Sequence, residues 1–192
     1  RSTRAKETSM STLAQRKMTV DEFLAWAEGR EGRWELYNGV PYAMPPERTG
    51  HIEIKAAVYV ALLRAVRKAG LPCHVLADGA GVRISRHVMH GPDALVYCGP
   101  KLPDDALETP NPVILVEVAS PSTRKFDEAV KRDGYFSLPS VHHYLIVDPA
   151  GPPVIHLSRQ ADGTPLRSLV NEGSLMLSPP GIELTVAELF TA

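Results

Sequence analysis

Residues 113–119, VILVEVA, constrain the fold more than any other stretch of the chain. The run is apolar on both alternating faces, a pattern satisfied by a strand in the interior of a sheet that is covered on both sides. Side chains alternate along a strand, so Val113, Leu115, Glu117 and Ala119 share one face while Ile114, Val116 and Val118 share the other. One carboxylate, Glu117, therefore stands among core residues. Burying an unpaired ionised carboxylate costs several kcal/mol or forces its pKa up. Glu117 accordingly needs a cation, a set of strong donors or a metal, and taken alone it fits a structural ion pair as well as a functional role.

The rest of the chain supplies what such a strand requires. Thr19-Val20-Asp21-Glu22 reads as a capping box opening a short helix through Phe23, Leu24 and Trp26. RWELYNGVPYAM reads as two extended runs turned at Asn38-Gly39. From about Gly50 to Ala69 the spacing of Ile52, Ala56, Tyr59, Leu63 and Val66 predicts the longest helix, ended by Gly70 and Pro72. CHVLA, GVRIS and DALVYC are short β-like runs; FDEAVKRDGYF is helical in pattern; HYLIVDP and PVIHLSR are further strands. A second capping box, Thr185-Val186-Ala187-Glu188, starts a terminal helical turn. The strand–helix–strand series around 113–148 predicts a mixed central β-sheet with a crossover helix, an α/β or α+β architecture with helices flanking the sheet.

With 192 residues, residues 18–192 are expected to form a single domain, and residues 1–17, with five basic groups and one acid, a disordered leader or tag remnant. Lys and Arg total 21 against 22 Asp and Glu, so no global field draws the protein onto nucleic acid, and any polyanion site must be local. Cys73 and Cys98 belong to no zinc-type spacing and are expected as reduced thiols, with a single disulfide as the alternative. No apolar run approaches the roughly 20 residues that span a bilayer, and the expected location is the cytoplasm, with no membrane partner.

A second acid gives Glu117 company. In HGPDALVY, Gly91-Pro92 turns the chain and puts Asp93 at the mouth of a strand. Asp after Pro is common in turns, but two acids on adjacent short strands can converge on one hard cation such as Mg²⁺. Downstream, Asp127, Lys131 and Tyr135 recur at four-residue steps and share one helix face. A surface ion pair between Asp127 and Lys131 is the plainer explanation of that spacing. His142 and His143, as neighbours on a strand, point to opposite faces and make no joint metal site.

Together ELYNGVPYAM, His51 at the head of the long helix, PDALVY, VEVASPST, the Asp127–Lys131–Tyr135 series and HHYLIVDP resemble the Uma-type restriction endonucleases, a branch of the PD-(D/E)xK nuclease superfamily. The resemblance runs from about Met18 to Phe190. It implies a restriction-endonuclease-like fold and a Mg²⁺ ion, or Mn²⁺ in its place, between Asp93 and Glu117 with the Val118 carbonyl as third ligand. Glu35 and His51 would complete the outer shell, supported by Asp127 and Tyr135. The superfamily's strand lysine would fall at position 119, where this chain has Ala119, and the resemblance points to Lys131 as its replacement, with Lys125 as a second choice. The implied activity is Mg²⁺-dependent hydrolysis of DNA phosphodiester bonds by a homodimer. The alternative is a catalytically silent nuclease-like domain that binds nucleic acid or a protein. Arg64, Arg67, Lys68, Arg83, Arg86, His87, Arg124, Lys125 and Arg132 are the candidate phosphate contacts. Ser120, Pro121, Ser122 and Thr123 offer hydroxyls and backbone donors for capping the next helix or for a phosphate.

Overall fold

The computed structural model describes residues 17–119 and 127–191, with Asp127 described by its backbone alone. The leader through residue 16 and the segment that holds Ser120, Pro121, Ser122, Thr123, Arg124 and Lys125 lie outside the described residues.

The chain opens with helix α1 (Val20–Ala27), capped by reciprocal bonds between Thr19 and Glu22 as the sequence motif predicts. Strands β1 (Trp34–Tyr37) and β2 (Val40–Ala43) form a hairpin whose turn residues Asn38 and Gly39 both take positive φ, 51° and 79°. The Asn-Gly pair is favoured there because a two-residue turn matching the strand twist needs that backbone. Helix α2 (Thr49–Ala69) ends on Gly70 in the left-handed conformation. Strands β3 (Cys73–Ala77), β4 (Val82–Ser85), β5 (Val88–His90), β6 (Ala94–Cys98) and β7 (Pro112–Val118) follow. A π-helical turn, Asp127–Lys131, runs straight into α3 (Arg132–Phe136). The chain continues through β8 (His143–Val147), β9 (Val154–Arg159), β10 (Pro165–Val170), β11 (Ser174–Leu177) and β12 (Ile182–Thr185). A short 3₁₀ turn, Ala187–Leu189, follows, and Thr185 and Glu188 close the second capping box in front of it.

Six strands form the main sheet in the order β10-β9-β8-β7-β6-β3, so the VILVEVA strand is internal as its two apolar faces require. Strands β7 and β8 are parallel and joined through α3, and the other pairs of this sheet are antiparallel. A smaller sheet, β2-β1-β5-β4, stands apart from it, and β11–β12 form a separate hairpin. Ile114, Val116 and Val118 face the core shared with α2, and Leu115 and Ala119 face the core shared with Tyr135 and Phe136 of α3. Val113 departs from the expected alternation and packs with the α2-side cluster, because a register shift between Val96 and Tyr97 leaves it outside the regular pairing of β6 with β7. Trp26 and Trp34 meet edge to face at 5.0 Å around the α1 core, as packing residues.

Two expectations are corrected here. Cys73 and Cys98 form a disulfide, because the antiparallel pairing of β3 with β6 sets the two cysteines directly opposite each other. The buried side of α2 is Val58, Ala61, Leu62, Ala65 and Val66, and Ile52, assigned to the stripe from its spacing, is 51% exposed. Small residues at 57, 61 and 65 let the helix settle closely on the sheet, and that fit outweighs the larger side chains at 52, 59 and 63. Among the described residues no helix is long and apolar enough to cross a membrane.

His143 pairs with His156 on the neighbouring strand (Nδ1 to Nε2, 3.0 Å) and not with His142. Burial first, then the neighbouring His156, lowers the His143 pKa from 6.5 to about 4. Between those two values the unfolded chain carries the proton and the folded one does not, so this residue's contribution to stability is lost as pH falls from about 6.5 to about 4. Melting curves over that range should fall with pH, and the fall should be smaller in His143→Leu.

Candidate active site

Three strand ends set a row of acids. Ala77 pairs with Ala94, and Ala94 pairs with Val116 on its other side, so Asp78, Asp93 and Glu117 stand side by side where β3 ends, β6 begins and β7 nears its end. Like charges facing each other across strands repel, and the row holds together because cations reach it from other elements.

Glu117, 5% exposed, is met from the α3 side. Lys131 Nζ donates to Glu117 Oε1 at 2.9 Å, and the Tyr135 hydroxyl donates to the same oxygen at 2.7 Å. The four-residue spacing of Lys131 and Tyr135 puts both on the side of the helix that rests against β7. Burial, then the charge of Glu117, raises the Tyr135 pKa well above its ordinary value, so Tyr135 remains a donor. Its ring lies against His90 at 5.7 Å and Tyr144 at 5.1 Å, both edge to face.

Glu35 arrives from the other sheet. Its neighbour Leu36 fills the α1 core, so alternation turns Glu35 to the opposite side, where Oε1 accepts from Lys131 Nζ at 3.0 Å and from the Gly91 N–H at 2.9 Å. His90 Nδ1 stands 3.4 Å from Glu35 Oε2. Burial opposes ionisation of Glu35, but the nearby His90, the Lys131 charge and the Gly91 N–H outweigh it and hold the pKa down to about 2. Lys131 thus bridges two buried carboxylates from different sheets, so Lys131 is not a solvated surface lysine and Glu35 is not a surface residue of the hairpin, while the Asp127 side chain lies outside the described residues.

Asp93 has its own surroundings. Oδ2 accepts the Val118 N–H at 2.7 Å, and its own N–H donates to the Val116 carbonyl at 3.0 Å, which pins the acid to β7. Lys55 Nζ lies 3.0 Å from Oδ1, and His51 Nε2 lies 3.9 Å from Oδ2. Lys55 also binds Glu47 at 2.8 and 3.1 Å and is bonded to Asp78, and Arg33 pairs with Glu47 and Asp78 and stands 3.8 Å from Asp93. Burial works against the charge on Lys55, and Asp93, Asp78 and Glu47 overcome it and raise the pKa.

Ligand atoms of Glu47, His51 and Asp93 lie within 4.8 Å of one another. Two carboxylate oxygens and an imidazole form a donor set that suits a small divalent cation. Of the residues named from the sequence, Glu117, Glu35, Lys131 and Tyr135 form one buried network and Asp93 and His51 another. The two meet where Asp93 stands beside Glu117 across the strands, and Glu117 is not in the convergent ligand group. Sequence reasoning missed Glu47, Lys55, Asp78 and Arg33. Glu47 and Lys55 had a faint signal, since Lys55 lies one turn beyond His51 on the same helix and Glu47 just before it.

The model of the family Uma2, described as "Putative restriction endonuclease", matches residues 20–187. The chain belongs to the Uma2 family. A Synechocystis protein described as "Uncharacterized protein slr1290" is 28% identical over 132 residues, 68% of each chain. The fold is also that of an Anabaena variabilis crystal structure titled "a putative nuclease belonging to DUF820": the TM-score is 0.71 at 16% identity, covering 90% of this chain and 97% of that one. The Uma2 member described here thus keeps the mixed, helix-flanked sheet of that structure.

Several of the basic residues considered for phosphate contact serve other partners. Arg83 is bound by Glu108 and Asp21, and Arg132 by its neighbour Asp133. Arg64 and Lys68 line a recess with Glu183 and Glu188, several turns along α2 from His51. His87 Nδ1 lies 2.7 Å from the Met18 carbonyl.

Proposed function

We propose that this protein is a divalent-metal-dependent endonuclease that hydrolyses DNA phosphodiester bonds. The observation that carries the reading is Lys131, which supplies a buried lysine Nζ 2.9 Å from Glu117 in a chain whose strand position for that lysine is Ala119. Ala119 is fully buried among Leu115, Tyr135 and Tyr144, so position 119 belongs to the core and the charge is delivered from the helix.

Asp93 and Glu117 are the proposed metal ligands together with the Val118 carbonyl, and Glu47 and His51 extend the donor set around Asp93. Mg²⁺, or Mn²⁺ in its place, would supply Lewis acidity at the scissile phosphate and lower the pKa of an adjacent water. Lys131 places positive charge beside the phosphate under attack and helps orient the water, while Glu35 and Tyr135 hold Lys131 and Glu117 in position. Arg33, which pairs with Glu47 and Asp78 and stands 3.8 Å from Asp93, is the proposed cation for gripping a backbone phosphate. Cutting both strands calls for two such sites, and the proposed active form is a homodimer.

A plasmid-cleavage assay with Mg²⁺ or Mn²⁺ tests this. Cleavage should occur with the parent protein and fall by roughly a hundredfold or more in Asp93→Asn, Glu117→Ala and Lys131→Ala. Cleavage that survives in all three refutes the site, and metal binding without cleavage of any nucleic acid would favour a silent binding domain.

A further inference from the structure

Lys55 is 7% exposed, lies on α2 one turn after His51, and touches three carboxylates, Asp93, Glu47 and Asp78. Two of these, Asp93 and Glu47, are also members of the group whose ligand atoms converge with His51. Its Nζ therefore occupies two of the carboxylates that a divalent cation would use. The third partner, Asp78, lies outside that convergent group, which gives the lysine an anion to keep when the other two turn away.

Charge supports the same exchange. Glu47, Asp78 and Asp93 face Lys55 and Arg33, which leaves the group with one net negative charge. A divalent ion arriving with Lys55 still seated would make the group positive. With Lys55 drawn back onto Asp78, Glu47 and Asp93 present two negative charges to meet the two positive ones.

We propose that Lys55 is a built-in competitor for the metal: it holds Asp93 and Glu47 in place before a divalent cation binds, gives up Asp93 when the cation arrives, and so sets the affinity of the site. The inference rests on reading the site as one that takes a divalent metal. It makes Lys55 a positioning residue and assigns it no part in the chemical step.

Calorimetric titration of the full chain with Mn²⁺ distinguishes this role from a purely structural ion pair. Lys55→Met should bind Mn²⁺ roughly tenfold tighter or more, since a positive charge a few ångström from the ligands has been removed. Lys55→Arg, which keeps the charge, should bind no tighter than the parent. Binding by Lys55→Met equal to or weaker than the parent's, in a protein with the parent's circular dichroism, overturns the proposal and leaves the nuclease reading standing. If Lys55→Met does not fold, the Nζ resonance of Lys55 in the ¹⁵N-labelled parent decides: it should move as Mg²⁺ is added, and a resonance that stays fixed while the metal binds overturns the proposal. Absence of binding by the parent and every variant at millimolar metal overturns the metal reading itself, and this inference with it.

Discussion

Lys131→Met should be among the most destabilising single changes available in this protein, by roughly 3–5 kcal/mol in a denaturant titration. Lys131 is 3% exposed and pairs with Glu35 and Glu117, both more than nine-tenths buried. Methionine fills much the same volume but leaves two carboxylates facing each other without their shared cation. Glu35 provides a second readout. Its pKa is lowered in the folded state, so its contribution is present above the unfolded value of 4.5 and is lost as pH falls toward about 2. Without Lys131 part of that lowering disappears, and acid unfolding should begin at a higher pH. Adding Glu117→Gln to Lys131→Met should restore part of the lost stability, because one of the two stranded charges is removed. A Lys131→Met protein as stable as the parent would mean that the bridge between the sheets carries no weight.

The features legible in the sequence were those fixed by local chemistry. A run apolar on both faces had to be an inner strand, Asn38-Gly39 had to turn, and two Thr-x-x-Glu motifs had to cap. Asp93 and Glu117 were legible as a pair because one stood inside an apolar strand, where an unpaired carboxylate is costly, and the other at the mouth of a neighbouring strand, from which both could converge on one hard cation. What remained hidden was set by tertiary neighbours. Apart from its place one turn after His51, the spacing of α2 does not show that Lys55 turns inward, because its three acids come from three other segments, around residues 47, 78 and 93. The opposition of Cys73 and Cys98 depends on β3 pairing with β6, a long-range register that the cysteine count leaves open. The bulge that turns Val113 toward α2 likewise belongs to the pair of strands and not to either one alone.

Asp93→Asn should abolish divalent-metal binding while leaving the fold nearly intact, and the reason lies in how the two carboxylate oxygens are used. Oδ2 accepts the Val118 N–H at 2.7 Å, a bond that the amide oxygen of asparagine can also accept. Oδ1 faces Lys55 at 3.0 Å, and an amide there supplies donors in place of the charge. Lys55 keeps Glu47 and Asp78, so no buried cation is left without a partner. Asp93→Ala would confuse the result, because it strands the Val118 N–H at a cost of roughly 1–3 kcal/mol. The expected outcome is a melting temperature close to the parent's, Mn²⁺ affinity reduced beyond the roughly 10–100-fold that loss of an outer-shell partner causes, and cleavage lost along with it. Asp93→Asn that still binds Mn²⁺ as tightly as the parent would remove Asp93 from the ligands and leave it as the anchor that ties the mouth of β6 to β7.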